Sequence, residues 1–130
     1  MASKITRQSV ALDIDIEKGS TFRHTLTWSA GDPAVPVDLT LATARMQIRA
    51  DGSNPDFPDG TLLHEMTTEN GGITLGDVTG EIELFISDAD STAFIWNFGL
   101  YDLEIIMSNS DVRRLTRGKI KAFDEETVTV

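Results

Sequence analysis

The chain has 130 residues, carries 21 acidic against 11 basic side chains for a formal charge of −10, and contains no cysteine. That length fits one hydrophobic core and not two, and the missing thiols exclude a disulfide framework, a thiolate zinc site and a cysteine nucleophile. The acidic balance repels phosphate backbones, so a nucleic-acid partner is not expected.

Met1 to Ser9 has one early lysine and no apolar segment of signal-peptide length, and reads as an N-terminal arm without a leader. From Val10 the sequence alternates in hydrophobicity, the mark of a strand with one buried and one wet face. Val10, Leu12, Ile14 and Ile16 oppose Ala11, Asp13, Asp15 and Glu17. After a Lys18-Gly19-Ser20 turn, Phe22, His24, Leu26 and Trp28 form the apolar face of a second strand, predicted to pair with the first as a hairpin. Ala30 to Pro36 holds two prolines and Gly31, and reads as a loop. Ala44, Met46 and Ile48 then face inward against Arg45, Gln47 and Arg49.

Asp51 to Gly60 is a long exposed loop of turn formers. The strand from Thr61 to Thr67 is ambiguous, because Leu62, His64 and Met66 compete with Leu63 for the core. Asn70-Gly71-Gly72 turns the chain into Ile73-Thr74-Leu75, and Ile82, Leu84 and Ile86 then point inward against Glu81, Glu83 and Phe85. Ser87 or Asp88 caps one short helix over Ala89 to Phe94. Tyr101, Leu103, Ile105 and Met107 form the next apolar face, and Leu115, Ile120 and Ala122 the last, with Gly118 read as a bulge or kink.

Arg113, Arg114, Arg117, Lys119 and Lys121 crowd one segment with no carboxylate between Asp111 and Asp124. This basic ribbon is either a solvated strand face or a docking strip for an acidic surface such as a second copy of the chain. Catalytic constellations are not evident. No Gly-x-Ser-x-Gly elbow occurs, and His24 and His64 lie within predicted strands. The carboxylates two apart on strands share exposed faces, where water keeps both ionised. The Asp51 to Asp59 loop has oxygen ligands without the order of a twelve-residue calcium loop. Trp28 and Tyr101 are in phase with the core, whereas Trp96, after the helix, reads as exposed.

Several local phrases carry a resemblance: Glu17-Lys18-Gly19-Ser20-Thr21-Phe22-Arg23, Val37-Asp38-Leu39-Thr40, Ala44-Arg45-Met46-Gln47-Ile48-Arg49, Glu69-Asn70-Gly71-Gly72-Ile73, Gly80-Glu81-Ile82, Tyr101-Asp102-Leu103-Glu104 and Arg117-Gly118-Lys119-Ile120. Their order, over about residues 14 to 123, resembles small structural proteins of tailed bacteriophages, including the immunoglobulin-like N-terminal module of baseplate upper proteins. The resemblance implies a β-sandwich that attaches to other virion proteins and has no enzyme activity.

The expectation is therefore an all-β, immunoglobulin-like antiparallel sandwich of about seven to nine strands with one short helix. It divides into an arm (1–9), the sandwich (10–123) and a C-terminal tail or edge strand (124–130). The expected function is a structural component of a bacteriophage virion, made in the host cytoplasm, non-enzymatic and without a cofactor. It attaches to tail, baseplate or fibre proteins and forms a homo-oligomer in the particle. Capsid decoration and carbohydrate-binding adhesion through Trp96 are the alternatives. Arg113, Arg114, Arg117 and Lys119 are the expected charged contacts, with Trp96, Phe94 and Phe57 as apolar anchors.

Overall fold

The computed structural model describes residues 2–5 and 10–124. Eleven strand segments form two sheets. Ala2–Ile5 (β1), Phe22–Ala30 (β4), Val35–Pro36 (β5), Ile73–Leu75 (β8) and Glu81–Ile86 (β9) make the first, in the order β1-β4-β9-β8 with β5 on β4. Val10–Ala11 (β2), Ile14–Glu17 (β3), Thr43–Arg49 (β6), Leu62–Thr67 (β7), Phe98–Ile106 (β10) and Val112–Phe123 (β11) make the second, in the order β2-β11-β10-β6-β7 with β3 also on β11. The residues predicted to face inward meet in a single core between the sheets. Leu26, Ile82, Leu84 and Ile86 come from one side, and Met46, Ile48, Leu103, Ile105, Leu115 and Ile120 from the other.

This strand order is that of a variable-type immunoglobulin-like sandwich, with the leading strand divided between the sheets. Antibody domains bridge the second strand of one sheet to the penultimate strand of the other with a disulfide. Here Leu26 on β4 and Leu103 on β10 are fully buried instead.

Four details of the fold differ from the sequence reading or go beyond it. The first run does not form a hairpin with β4. Instead β2 and β3 both lie parallel to β11, with Val10 opposite Thr116 and Ile14 opposite Ile120. Turn residues at 18–20 thus carry the chain from one sheet to the other, a crossing that alternation alone does not distinguish from a hairpin. Second, the described residues form eleven strand segments, because the first run breaks at Leu12-Asp13 and short segments pair at the edges. Third, part of the predicted arm is structured: β1 pairs in parallel with β4, Ala2 opposite Thr25. Residues 6–9 and the proposed tail at 125–130 lie outside the described residues.

The fourth concerns Gly118. The bulge in β11 falls at Leu115, where the register with β10 shifts between Leu103 and Glu104. Gly118 serves a close approach: a Cβ there would lie 2.8 Å from the Leu12 carbonyl carbon and 2.9 Å from Asp13 Oδ1, with the Leu12 oxygen nearer still. The break between β2 and β3 is strapped to β11 at this point. Leu12 N–H donates to the Arg117 carbonyl at 2.9 Å, and Lys119 N–H donates to Asp13 Oδ1 at 3.0 Å. Tyr101, opposite Gly118 in the register, donates its hydroxyl to the Leu12 carbonyl at 2.5 Å.

Burial pushes the Tyr101 phenol up to about 12, and the Asp13 carboxylate acts in the same direction. Because the folded chain favours the neutral phenol, this contribution to stability is complete below about pH 10 and is lost as the pH rises through the folded value. Tyr101 is the chain's one tyrosine, so ultraviolet difference titration reads it alone. The expected midpoint is about 12 for the native protein and about 10 in denaturant. A native midpoint equal to the denatured one would contradict the strap.

A second bulge resolves the ambiguous strand. Ile48 pairs with His64 but Arg49 with Leu62, so Leu63 is the extra residue. This changes the phase of β7 and allows Leu63, His64 and Met66 all to turn toward the interior. The helix Asp88–Thr92 (α1) is capped as expected, with Asp90 N–H donating to Ser87 Oγ at 3.1 Å. It sits at the end of the sandwich where β4 begins and β9 finishes.

Candidate interaction face

Alternation along β6, β7, β10 and β11 places a second set of side chains on the outer face of the larger sheet. In register, Leu100 of β10 lies between Arg49 of β6 and Lys119 of β11, Asp102 between Gln47 and Arg117, and Glu104 between Arg45 and Arg114. Phe98 lies opposite Lys121, whose ammonium is 5.7 Å from the Phe98 ring centre and 4.7 Å from that of Phe123. The central strand is therefore acidic in its middle and apolar at one end, with cationic strands on both sides.

Part of this charge is compensated on the face itself. Arg114 lies 3.3 Å from Asp102, and Arg45 lies 3.6 Å from Glu104. Gln47 donates to Glu65 and accepts from Arg49, both at 2.7 Å, and Arg49 also donates to the Gly60 carbonyl at 2.8 Å. These contacts hold the side chains across the strands, although exposed pairs of this kind contribute little stability. Arg117 makes no ion pair among the described residues. Phe98 is 52% exposed, Leu100 44% and Leu62 46%.

The expected partner residues separate into two groups. Arg114, Arg117 and Lys119 are exposed on this face. Arg113 is not, because the bulge at Leu115 puts it in register with the buried Ile105, at the sheet's end, where it lies 3.6 Å from Asp111. Trp96 and Phe94 are corrected as anchors: they are 3% and 9% exposed. Their rings pack at a tilt of 33° with 4.7 Å between centres, and His64 lies edge-on to Phe94 at 5.1 Å. The segment following α1 folds back over the open end of the core, so its aromatics close that end. Phe57 is half-buried and packs against the core, where it also lines a groove of about 370 Å³ with Asp51, Asn54, Pro55, Asn97 and Phe98.

Phe98 and Leu100 escaped the sequence reading, which did not follow the alternation of β10 upstream of Tyr101, and Leu62 entered it only as a candidate for the core. The signal was present: Phe98 and Leu100 share the parity of Asp102 and Glu104, while Gly99 shares that of the core. A Cβ at Gly99 would lie 2.7 Å from Ile48 Cγ2.

A second groove, of about 230 Å³, is lined by His64, Glu65, Asn70, Phe85, Ser87 and Asp90 among others. Burial holds the His64 imidazole below its ordinary value, with Asp90 opposing. Among the described residues, no group of three or more histidines and carboxylates is placed to hold a metal ion. In the Asp51 loop the Asp51 carboxylate instead accepts from the Ser53 N–H and hydroxyl, which lowers its pKa. No described helix is long and apolar enough to cross a membrane.

No family model matches the chain, and no curated protein matches it. Among solved structures it is similar to a crystal structure of chicken TCR, at 9% identity and a TM-score of 0.49 over 94% of this chain. This chain spans 57% of the length of that one. The assignment to the immunoglobulin-like class rests on the strand order.

Proposed function

We propose that this chain is a non-enzymatic attachment module of a bacteriophage virion, joining tail, baseplate or fibre proteins through the outer face of its larger sheet. The observation that carries the attachment reading is that face, where exposed Leu62, Phe98 and Leu100 lie among the cations Arg49, Arg117 and Lys119. Aromatic and arginine side chains dominate the energetics of protein contacts, and β10, hydrogen-bonded to a strand on each side, presents its outer side chains with little loss of backbone freedom on binding. The phage setting is supported by the order of local phrases noted in the sequence. Capsid decoration would use the same face at another place in the particle. The carbohydrate-binding alternative loses its aromatic platform, since Trp96 lies within the core cluster.

Gradient-purified particles, separated into heads and tails and probed with antibody to the chain, test the proposal. It predicts co-migration with tails at a fixed copy number. Migration with heads overturns the tail assignment in favour of decoration. Presence only in the unassembled fraction overturns the virion role.

A further inference from the structure

The exposed apolar residues fall largely into two separate patches of opposite electrostatic character. The first is the sheet face already described. Its cations Arg45, Arg49, Arg114, Arg117, Lys119 and Lys121 are six of the chain's eleven lysines and arginines. The second lies where the β4–β6 connection runs beside the β8–β9 connection. Leu39 N–H donates to the Asp77 carbonyl at 2.8 Å, and Val37 N–H to the Trp28 carbonyl at 2.9 Å. These bonds bring Val35, Leu41 and Val78 to one end of the fold, 59%, 84% and 66% exposed. Asp32, Asp38, Asp77 and Glu81 are exposed in the same two connections and at the start of β9, without a lysine or arginine among residues 24–44 or 68–98.

We infer that these two patches dock on each other between copies of the chain. The cationic, apolar sheet face of one copy receives the acidic, apolar loop end of the next. A single contact then covers both sets of exposed apolar side chains and sets Arg117 and Lys119 opposite Asp77 and Glu81. Opposite potentials steer the partners together and exclude like faces.

Because the patches differ and lie on different parts of the molecule, the contact is head-to-tail, generating a ring if the rotation closes and a filament if it does not. Five strands about 4.8 Å apart, with about seven residues each at 3.3 Å, give a face of roughly 500 Å². That is less than the roughly 800 Å² per partner of a standard interface. The free protein therefore associates weakly and in a salt-dependent way, and repetition on a symmetric particle multiplies the contact. This inference rests on the attachment reading by naming one of its partners.

Light scattering of the full chain across concentration, at low and high salt, tests it. Wild type is expected to exceed the 14.2 kDa monomer mass at low salt and return to it at high salt. The paired change Arg117→Glu with Lys119→Glu, and separately Glu81→Lys with Asp77→Asn, should each weaken association about tenfold. Asparagine is chosen at 77 because that residue has φ +54°. Circular dichroism confirms that each variant is folded. Mixing the two variants should restore association, since the unaltered loop end of the first fits the unaltered sheet face of the second.

Monomer at every concentration and salt overturns the inference. So does wild-type association by the Glu81/Asp77 variant, which would mean that the sheet face meets something other than the loop end. Either result, with the chain still found in purified particles, overturns self-docking and leaves the virion role standing. Association in solution with the chain absent from particles does the reverse.

Discussion

Gly118→Ala is expected to destabilise the fold by roughly 1–3 kcal/mol, seen as a lower urea midpoint with an unchanged slope. The added methyl group meets the Leu12 backbone and Asp13 Oδ1, which are themselves held by hydrogen bonds to β11 and Tyr101. A flexible side chain at that place would swing aside. Here the strap must lift, and with it the parallel pairing of β2 and β3. Lys119→Ala, one residue further on and exposed, should change stability by less than about 0.5 kcal/mol. Wild-type stability in Gly118→Ala would show that the Leu12-Asp13 break does not lie against β11.

The second large effect is at Leu103. It is fully buried on the central strand β10, between Met46 and Thr116 in register and next to the β11 bulge. Truncation to alanine removes its share of apolar burial and leaves a cavity that two tightly hydrogen-bonded strands cannot collapse to fill, costing about 2–5 kcal/mol. For a domain with a typical stability of about 5–15 kcal/mol that is a large fraction, and no disulfide offsets it. Leu100→Ala, three residues earlier on the opposite face, should cost under about 1 kcal/mol while weakening attachment. A reversal of these two effects would mean that the faces of β10 have been assigned the wrong way round.

The alternation of Ile82, Leu84 and Ile86, and of Tyr101, Leu103 and Ile105, was legible because a half-buried strand needs a period of two and no other packing produces it. Where a bulge changes the phase, the pattern loses that meaning. Leu63 and His64 both turn inward, and the bulge at Leu115 puts Arg114, not Arg113, on the same face as Arg117. Strand partners were not legible either: Lys18-Gly19-Ser20 suits a hairpin turn as well as a crossing between sheets, and the choice depends on β11, a hundred residues away. The aromatics failed for a related reason. Trp96 and Phe94 follow a helix too short to reveal which way its exit points, and the open end of the core takes them in. What the sequence did show of the site was its charge, since Arg114, Arg117 and Lys119 sit on one wet face. Its apolar part required the register of β10 to be known.

Hydroxyl-radical footprinting of the chain, free and in assembled particles, tests the central claim that this sheet face is where the module attaches. Phe98, Leu100 and Leu62, exposed in the free chain, should lose most of their labelling on assembly, while buried Trp96 and Leu103 stay unlabelled in both states. Equal labelling of Phe98, Leu100 and Leu62 in free and assembled protein would contradict it.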